Sequence, residues 1–189
     1  MKVIRLGFFL ALAAGITMAA TVHLGNRIFL NEEGPINLAA DAGLAEQNLD
    51  SPYVMFVLYM GADSEVKATV GRESVVLVHN DKEYRMVDIQ ELRKNYRNDS
   101  RDIEHYVRLA KEPLIFSRMK FYRFDGRDDF FPERSSGRIP RQSSSIGSQI
   151  GFATRAYFKN PGFEPGDVIM IKVSDSKNPD IWGAVALEL

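Results

Sequence analysis

The amino-acid sequence predicts a mainly β protein: an antiparallel β-sandwich of about seven or eight strands, with one or two short helices between strands. Three observations predict it. Tyr53–Met60 is an unbroken apolar run rich in aromatic and β-branched residues, bounded by Pro52 and Gly61. Turn-forming clusters recur at intervals of roughly ten residues along the second half of the chain. Strand and helix signals do not alternate as a parallel sheet with crossover helices requires. A barrel is the second choice.

The chain divides into three parts on composition. Residues 1–20 read as a secretory signal peptide. Lys2 and Arg5 precede the apolar stretch Leu6, Phe8, Phe9, Leu10 and Leu12, and small residues follow, with Thr17-Met18-Ala19 placing small side chains at both recognition positions of a cleavage site. An uncleaved anchor is the alternative, because about 20 uncharged residues also suffice to cross a bilayer. Residues 21–52 are mixed and read as an approach segment with one short strand and one loose helical turn. Residues 53–189 read as a single sandwich domain.

Within that domain, Tyr53–Met60 is expected to be a central strand buried on both faces, since a half-wet strand alternates apolar and polar positions. Val66–Val70 and Ser74–His79 follow as strands. Asn80-Asp81 then supplies two residues that tolerate positive φ, which makes a two-residue hairpin turn with a return strand ending near Val87. Asp88-Ile89-Gln90-Glu91 has the form of a capping box, and Leu92 and Tyr96 share a helix face. A second helix is expected from about Ser100 to Lys111, ended by Pro113. The two helices should cover one end or edge of a sheet. Leu114–Phe124, Ile150–Phe158, Asp167–Val173 and Ile181–Leu189 complete the strands. Asp125–Gln149 shows neither period and reads as a long surface loop, from which a stretch such as Ser135–Ser145 should be dispensable to folding.

Composition bounds function. The chain has 45% hydrophobic residues and no cysteine, so an exported domain of this sequence relies on buried apolar surface without disulfides. Removing Lys2 and Arg5 from the 24 basic residues leaves 22 against 25 acidic, which gives no support for nucleic-acid binding. Ser-x-x-Lys occurs at Ser64/Lys67, Ser117/Lys120 and Ser174/Lys177, and none has the helix-opening context that the motif needs for nucleophilic catalysis. His23, His79 and His105 are too few for a zinc triad without a carboxylate, and His79 is expected to face solvent at a strand end, with His105 on a polar helix face. Calcium is a weak candidate cofactor: Asp175, Asn178 and Asp180 cluster in one turn, and Asp125, Asp128 and Asp129 in another. Turn chemistry accounts for the same residues. Asn98-Asp99-Ser100 matches a glycosylation acceptor. A sugar platform on Phe130, Phe131 or Trp182 is a further option, although Trp182 at the start of a strand is expected to seal the core.

The functional expectation is therefore a non-enzymatic exported β-sandwich, periplasmic, surface-bound or secreted, that binds another molecule or serves as an envelope component. A calcium- or carbohydrate-binding module is the alternative, followed by an enzyme of unrecognised type. A protein or envelope partner is expected at the long loop, with Phe130 and Phe131 as anchor and Arg134, Arg138 and Arg141 as a polar rim. Membrane contact is expected only through an uncleaved leader. The strand assignment is testable by itself. Val57→Asp should abolish the cooperative thermal transition, because an unpaired buried carboxylate costs several of the roughly 5–15 kcal/mol that hold a domain together. A variant melting within a few degrees of wild type would move Tyr53–Met60 to an edge.

Overall fold

The computed structural model describes residues 21–62, 64–109, 115, 118–119, 123–124, 130–147 and 150–189. The leader and most of the predicted strand 114–124 lie outside the described residues. Thr21 opens them and strands follow immediately: β1 (Val22–Gly25), β2 (Ile28–Asn31) and β3 (Ile36–Asp41). Asn26 and Arg27, at φ 51° and 64°, make the tight turn between the first two. These three strands correct the expectation of a loose approach segment. Each has only four to six residues, and β2 and β3 are buried at every position, so neither shows the alternation that marks a strand in sequence. The Ala-rich stretch after Leu38 splits between β3 and a short helix, α1 (Gly43–Gln47).

The long apolar run forms β4 (Tyr53–Ala62), buried at all ten positions. After it come β5 (Lys67–Gly71), β6 (Val75–His79) and β7 (Lys82–Arg85), and the last two form the expected hairpin, with Asn80 and Asp81 at φ 50° and 60°. Helix α2 (Ile89–Asn95) starts where Asp88 Oδ1 accepts the Gln90 amide at 2.7 Å, and α3 (Asp99–Leu109) follows. The chain closes with β8 (Arg123–Phe124), β9 (Ser143–Gly147), β10 (Ile150–Lys159), β11 (Val168–Ser174) and β12 (Trp182–Glu188).

Two sheets result. The larger runs β1-β2-β3-β4-β10-β9-β5, with β8 paired in parallel to the start of β10; the smaller runs β12-β11-β6-β7. Among the described residues every other pairing is antiparallel and neither sheet closes on itself, so the sandwich holds and the barrel is set aside.

Register explains why β4 has no polar face. Opposite β4, β10 places Phe158, Ala156, Thr154 and Phe152 beside Val54, Phe56, Leu58 and Met60, while β3 places Ile36 beside Ala62 and Leu38 beside Met60. This face meets the smaller sheet. Asn31 Nδ2 donates to Ala184 O at 2.6 Å, and Gly183 of β12 lies against Ile36. The opposite face carries Tyr53, Met55, Val57 and Tyr59 and is covered by the helices. Tyr96 tilts against Tyr53 with ring centroids 5.4 Å apart, and the Tyr59 and Tyr106 hydroxyls meet. The helices thus form a third layer over the sheet face, where the sequence suggested an end or an edge.

The loop expected over 125–149 is also corrected. Ser143–Ser145 pair with β5 as part of β9, so deleting Ser135–Ser145 would remove a strand. Phe130 and Phe131 are buried, which withdraws them as an exposed anchor. Beyond its first residues, β10 has no neighbouring strand among the described residues on the side away from β4. The segment closes over it there: the Phe130 amide donates to Thr154 Oγ1 at 2.9 Å, Phe130 packs on Phe152 and Phe131 on Tyr157, and Arg155 Nε donates to Phe131 O at 2.9 Å. Trp182 departs from expectation in the other direction. It is 37% exposed on the outer face of the smaller sheet, with Lys172 Nζ 5.3 Å from its ring centroid.

The close approach of Gly183 to Ile36 between the sheets gives a test. A Cβ on Gly183 would lie 1.9 Å from Ile36 O, a backbone atom that moves only with its strand. Gly183→Ala should therefore destabilise by about 3 kcal/mol in denaturant titration, the upper part of the overpacking range. A loss below about 0.5 kcal/mol would show that the sheets slide freely.

Candidate functional site

Helix α3 is built with an unusual inner face. Positions three, four and seven residues apart fall on one side of a helix. Here those positions are Asp99, Asp102, Ile103 and Tyr106, so two carboxylates point inward with the apolar residues. Both are at least nine-tenths buried, Asp99 at 6% exposure and Asp102 at 8%.

Their environments differ. Asp99 Oδ2 accepts Arg134 Nε at 2.8 Å, and the same guanidinium donates to Arg93 O at 3.3 Å and Tyr96 O at 3.4 Å. Arg134, expected at a partner-facing rim, thereby ties its segment to α2 and α3. Asp102 has no cationic partner at bonding distance among the described residues. Burial pushes its carboxyl up to about 6; the facing Tyr96 hydroxyl opposes this, the Asp99 charge adds to it, and the Tyr157 hydroxyl and Arg101 oppose it more weakly. Tyr96 is itself pushed up to about 12 by burial, with the Ser51 hydrogen bond opposing and Asp102 adding. Tyr157 is raised further, by burial first and by Asp102 second. Its hydroxyl reaches toward Asp102 without closing a hydrogen bond, and Asp99 Oδ1 is likewise buried without a partner.

Asp102 and Tyr96 form the floor of a cleft of about 430 Å³ between α3 and the turn that leads into β4. Gln47, Asn48, Asp50 and Ser51 line one wall, and Asn98, Arg101 and His105 the other. That volume lies within the range of small-molecule sites. The cleft opens on the helical layer, away from the smaller sheet. Asn98 of the glycosylation-like triplet stands exposed at its rim, as does His105, which keeps its expected polar-face position.

The remaining sequence candidates do not converge there. Asp175 Oδ1 accepts the Thr69 amide at 2.6 Å and Oδ2 accepts the Asn178 amide at 2.9 Å, while Asn178 Oδ1 accepts the Asp180 amide at 3.1 Å. Asp175 and Asn178 are thus engaged in fixing the turn and in docking it onto β5, while Asp180 is exposed. A groove of about 480 Å³ beside it carries Lys67 and Lys177, whose charges repel a cation. Asp125, Asp128 and Asp129 lie outside the described residues. His79, expected in solvent, is buried, with Nε2 3.2 Å from Asp167 Oδ2 and its ring against Phe163. His23 stacks on Phe29. Among the described residues no three His, Asp or Glu side chains gather as a metal site. Ser64 and Ser174 open no helix, and Ser117 and Lys120 lie outside the described residues. Arg138, Ile139 and Arg141 are exposed, Ile139 at 87%, and are what remains of the loop surface expected to meet a partner.

Sequence reasoning missed Asp102 and Tyr96. The signal available was Asp99 and Asp102 falling on the Ile103–Tyr106 face of the helix, an acidic break in an apolar stripe. No family model, curated protein or solved structure matches the chain.

The raised carboxyl gives a pH prediction. A carboxyl whose pKa is higher folded than unfolded binds more protons in the native state between the two values, so stability falls as pH rises from about 4 to about 6. Asp102→Asn should remove that loss and raise stability near neutral pH by about 1–3 kcal/mol, with the gain vanishing below about pH 4. Denaturant titrations across this range check it. Destabilisation by Asp102→Asn at neutral pH would show that the charged carboxylate is a net structural contact.

Proposed function

We propose that the chain is an exported, non-enzymatic β-sandwich that serves the cell envelope or surface as a binding component, with the cleft beside α3 as its ligand site. The observation that carries the binding role is Asp102, a carboxylate nine-tenths buried at the floor of an open cleft with no cation at bonding distance among the described residues. Burying a charge without a partner is unfavourable for folding, so its retention favours a role outside folding. The floor presents acceptors and hydroxyls on a helix packed against a sheet, which is a rigid frame for holding a ligand.

Export is supported by the leader's charge and apolarity. Thr21 Oγ1 already accepts the Ala186 amide at 3.1 Å and β1 starts at Val22. Cleavage after Ala19 would leave every residue of β1 in the mature chain. Intact-mass measurement on protein recovered from the native host tests this reading. The expected result is a chain beginning near Ala20 in a soluble extracytoplasmic fraction. A full-length chain in membranes would replace it with an anchored protein, and a full-length chain in the cytoplasm would overturn export altogether.

A further inference from the structure

We propose that the cleft beside α3 binds a primary ammonium group, with Asp102 as its counter-ion and Tyr96 beside it. The proposal rests on the reading of this cleft as a ligand site and adds the chemistry of the ligand.

Charge selects a cation. Of the two buried carboxylates of α3, Asp99 holds the Arg134 guanidinium, whereas Asp102 has no cation at bonding distance among the described residues, and Arg101 on the cleft wall offsets its charge only weakly. An anion here would meet a carboxylate in a partly desolvated site, where repulsion is strong. A neutral ligand would leave the buried charge unbalanced. Metal ions are a poor match, because among the described residues no three His, Asp or Glu side chains gather as a metal site, where calcium takes six to eight oxygens.

Hydrogen-bonding capacity selects the ammonium. It has three donors and no acceptor. The floor supplies the reverse: the Asp102 carboxylate, the Tyr96 hydroxyl oxygen and, behind them, the Tyr157 hydroxyl and Asp99 Oδ1, both buried without a hydrogen-bond partner. The phenol ring of Tyr96 adds a face attractive to cations. The ammonium fills only part of the cleft, and the amides of Gln47 and Asn98 at the rim are placed for the polar remainder of the molecule. Such a group comes from a free alkylamine or from a lysine side chain.

Calorimetric titration of protein recovered from cells expressing the full chain decides between outcomes. The probes are pentane-1,5-diamine for a free amine, N-acetyl-lysine methylamide for a lysyl source, and pentane-1,5-diol as the neutral isostere. At least one amine should bind at least about tenfold more tightly than the diol near neutral pH. Binding should weaken at least about tenfold near pH 4, where Asp102 is protonated. Asp102→Asn, which is isosteric and expected to fold, should lose at least about tenfold in affinity. Gln47→Trp, which narrows the mouth from an exposed position, should weaken binding without altering the melt. The arm that binds names the source. Amines that fail to bind at about 10 mM to folded protein, or bind Asp102→Asn as well as wild type, overturn the ammonium assignment. Diol binding equal to amine binding, and blocked by Gln47→Trp, would also overturn it while keeping the cleft as a ligand site.

Discussion

Two-sided burial of β4 is the constraint from which the rest of the architecture follows. A strand with no polar positions has to be covered on both faces, and a single partner sheet covers one. The smaller sheet takes the side of Val54, Phe56, Leu58 and Met60, seated through Gly183 against Ile36. The other side leaves tyrosines, Tyr53 and Tyr59 on β4 and Tyr157 on β10, whose rings are apolar and whose hydroxyls need partners. Helices α2 and α3 supply the Tyr96 ring against Tyr53 and Tyr157 and the Tyr106 hydroxyl for Tyr59, while the Tyr157 hydroxyl stays without a hydrogen-bond partner. The polar floor of the cleft is therefore a consequence of building this layer over tyrosines. Asp102 goes further than that consequence, since a neutral hydroxyl or amide would satisfy a phenol without introducing a charge.

Sheet edges are managed by side chains and turns in place of disulfides, of which the cysteine-free chain has none. The outer edge of β5 is closed where the Thr69 amide donates to Asp175 and the Ser176 amide donates to Thr69 O at 2.8 Å. On β12, Ala184 O and the Ala186 amide are taken by Asn31 and Thr21. The edge of β10 is covered by the Phe130–Phe131 segment, and the Val87 amide adds a bond to Tyr157 O at 3.0 Å, which joins the end of β7 to the larger sheet. Each device removes an unpaired backbone row that would otherwise invite association.

How much of this was legible in the sequence follows from the range of the determining contacts. Tyr53–Met60, the Asn80-Asp81 turn and the Asp88 cap are local: period, φ tolerance and a side chain two residues from the amide that donates to it decide them, and each is found in the structure. β1, β2 and β3 were legible only as one short strand, because four to six residues carry too little period and their burial comes from partners elsewhere in the chain. Phe130 and Phe131 were expected as an exposed anchor and are buried. The decision between tucking in and reaching out depended on an open strand edge 24 residues away at Thr154, which no local pattern reports. The cleft shares this difficulty. Its floor is defined by Asp102 meeting residues from β4's entry turn and β10, and only the acidic break in the α3 stripe was visible along the chain.

The position of that break also separates what holds the protein together from what it is suited to do. The interface between the two sheets is apolar and continuous, and its contacts are backbone-close. The helical layer is held differently, through ring packing around Tyr96 and Tyr157 and the Asp99–Arg134 pair that pins the 130–134 segment to α2 and α3. A buried charge without a partner would be most damaging between the sheets, where no relaxation is available. On the inner face of a helix beside an open cleft, its desolvation is partial and its neighbours are hydroxyls that orient toward it. Stability lost at such a place is lost at the margin of the fold, which is where a binding group can be tolerated in a domain with no covalent cross-link. The layer that the two-sided burial of β4 made necessary is thus also the layer that can carry an unfavourable charge, and the cleft is open along it.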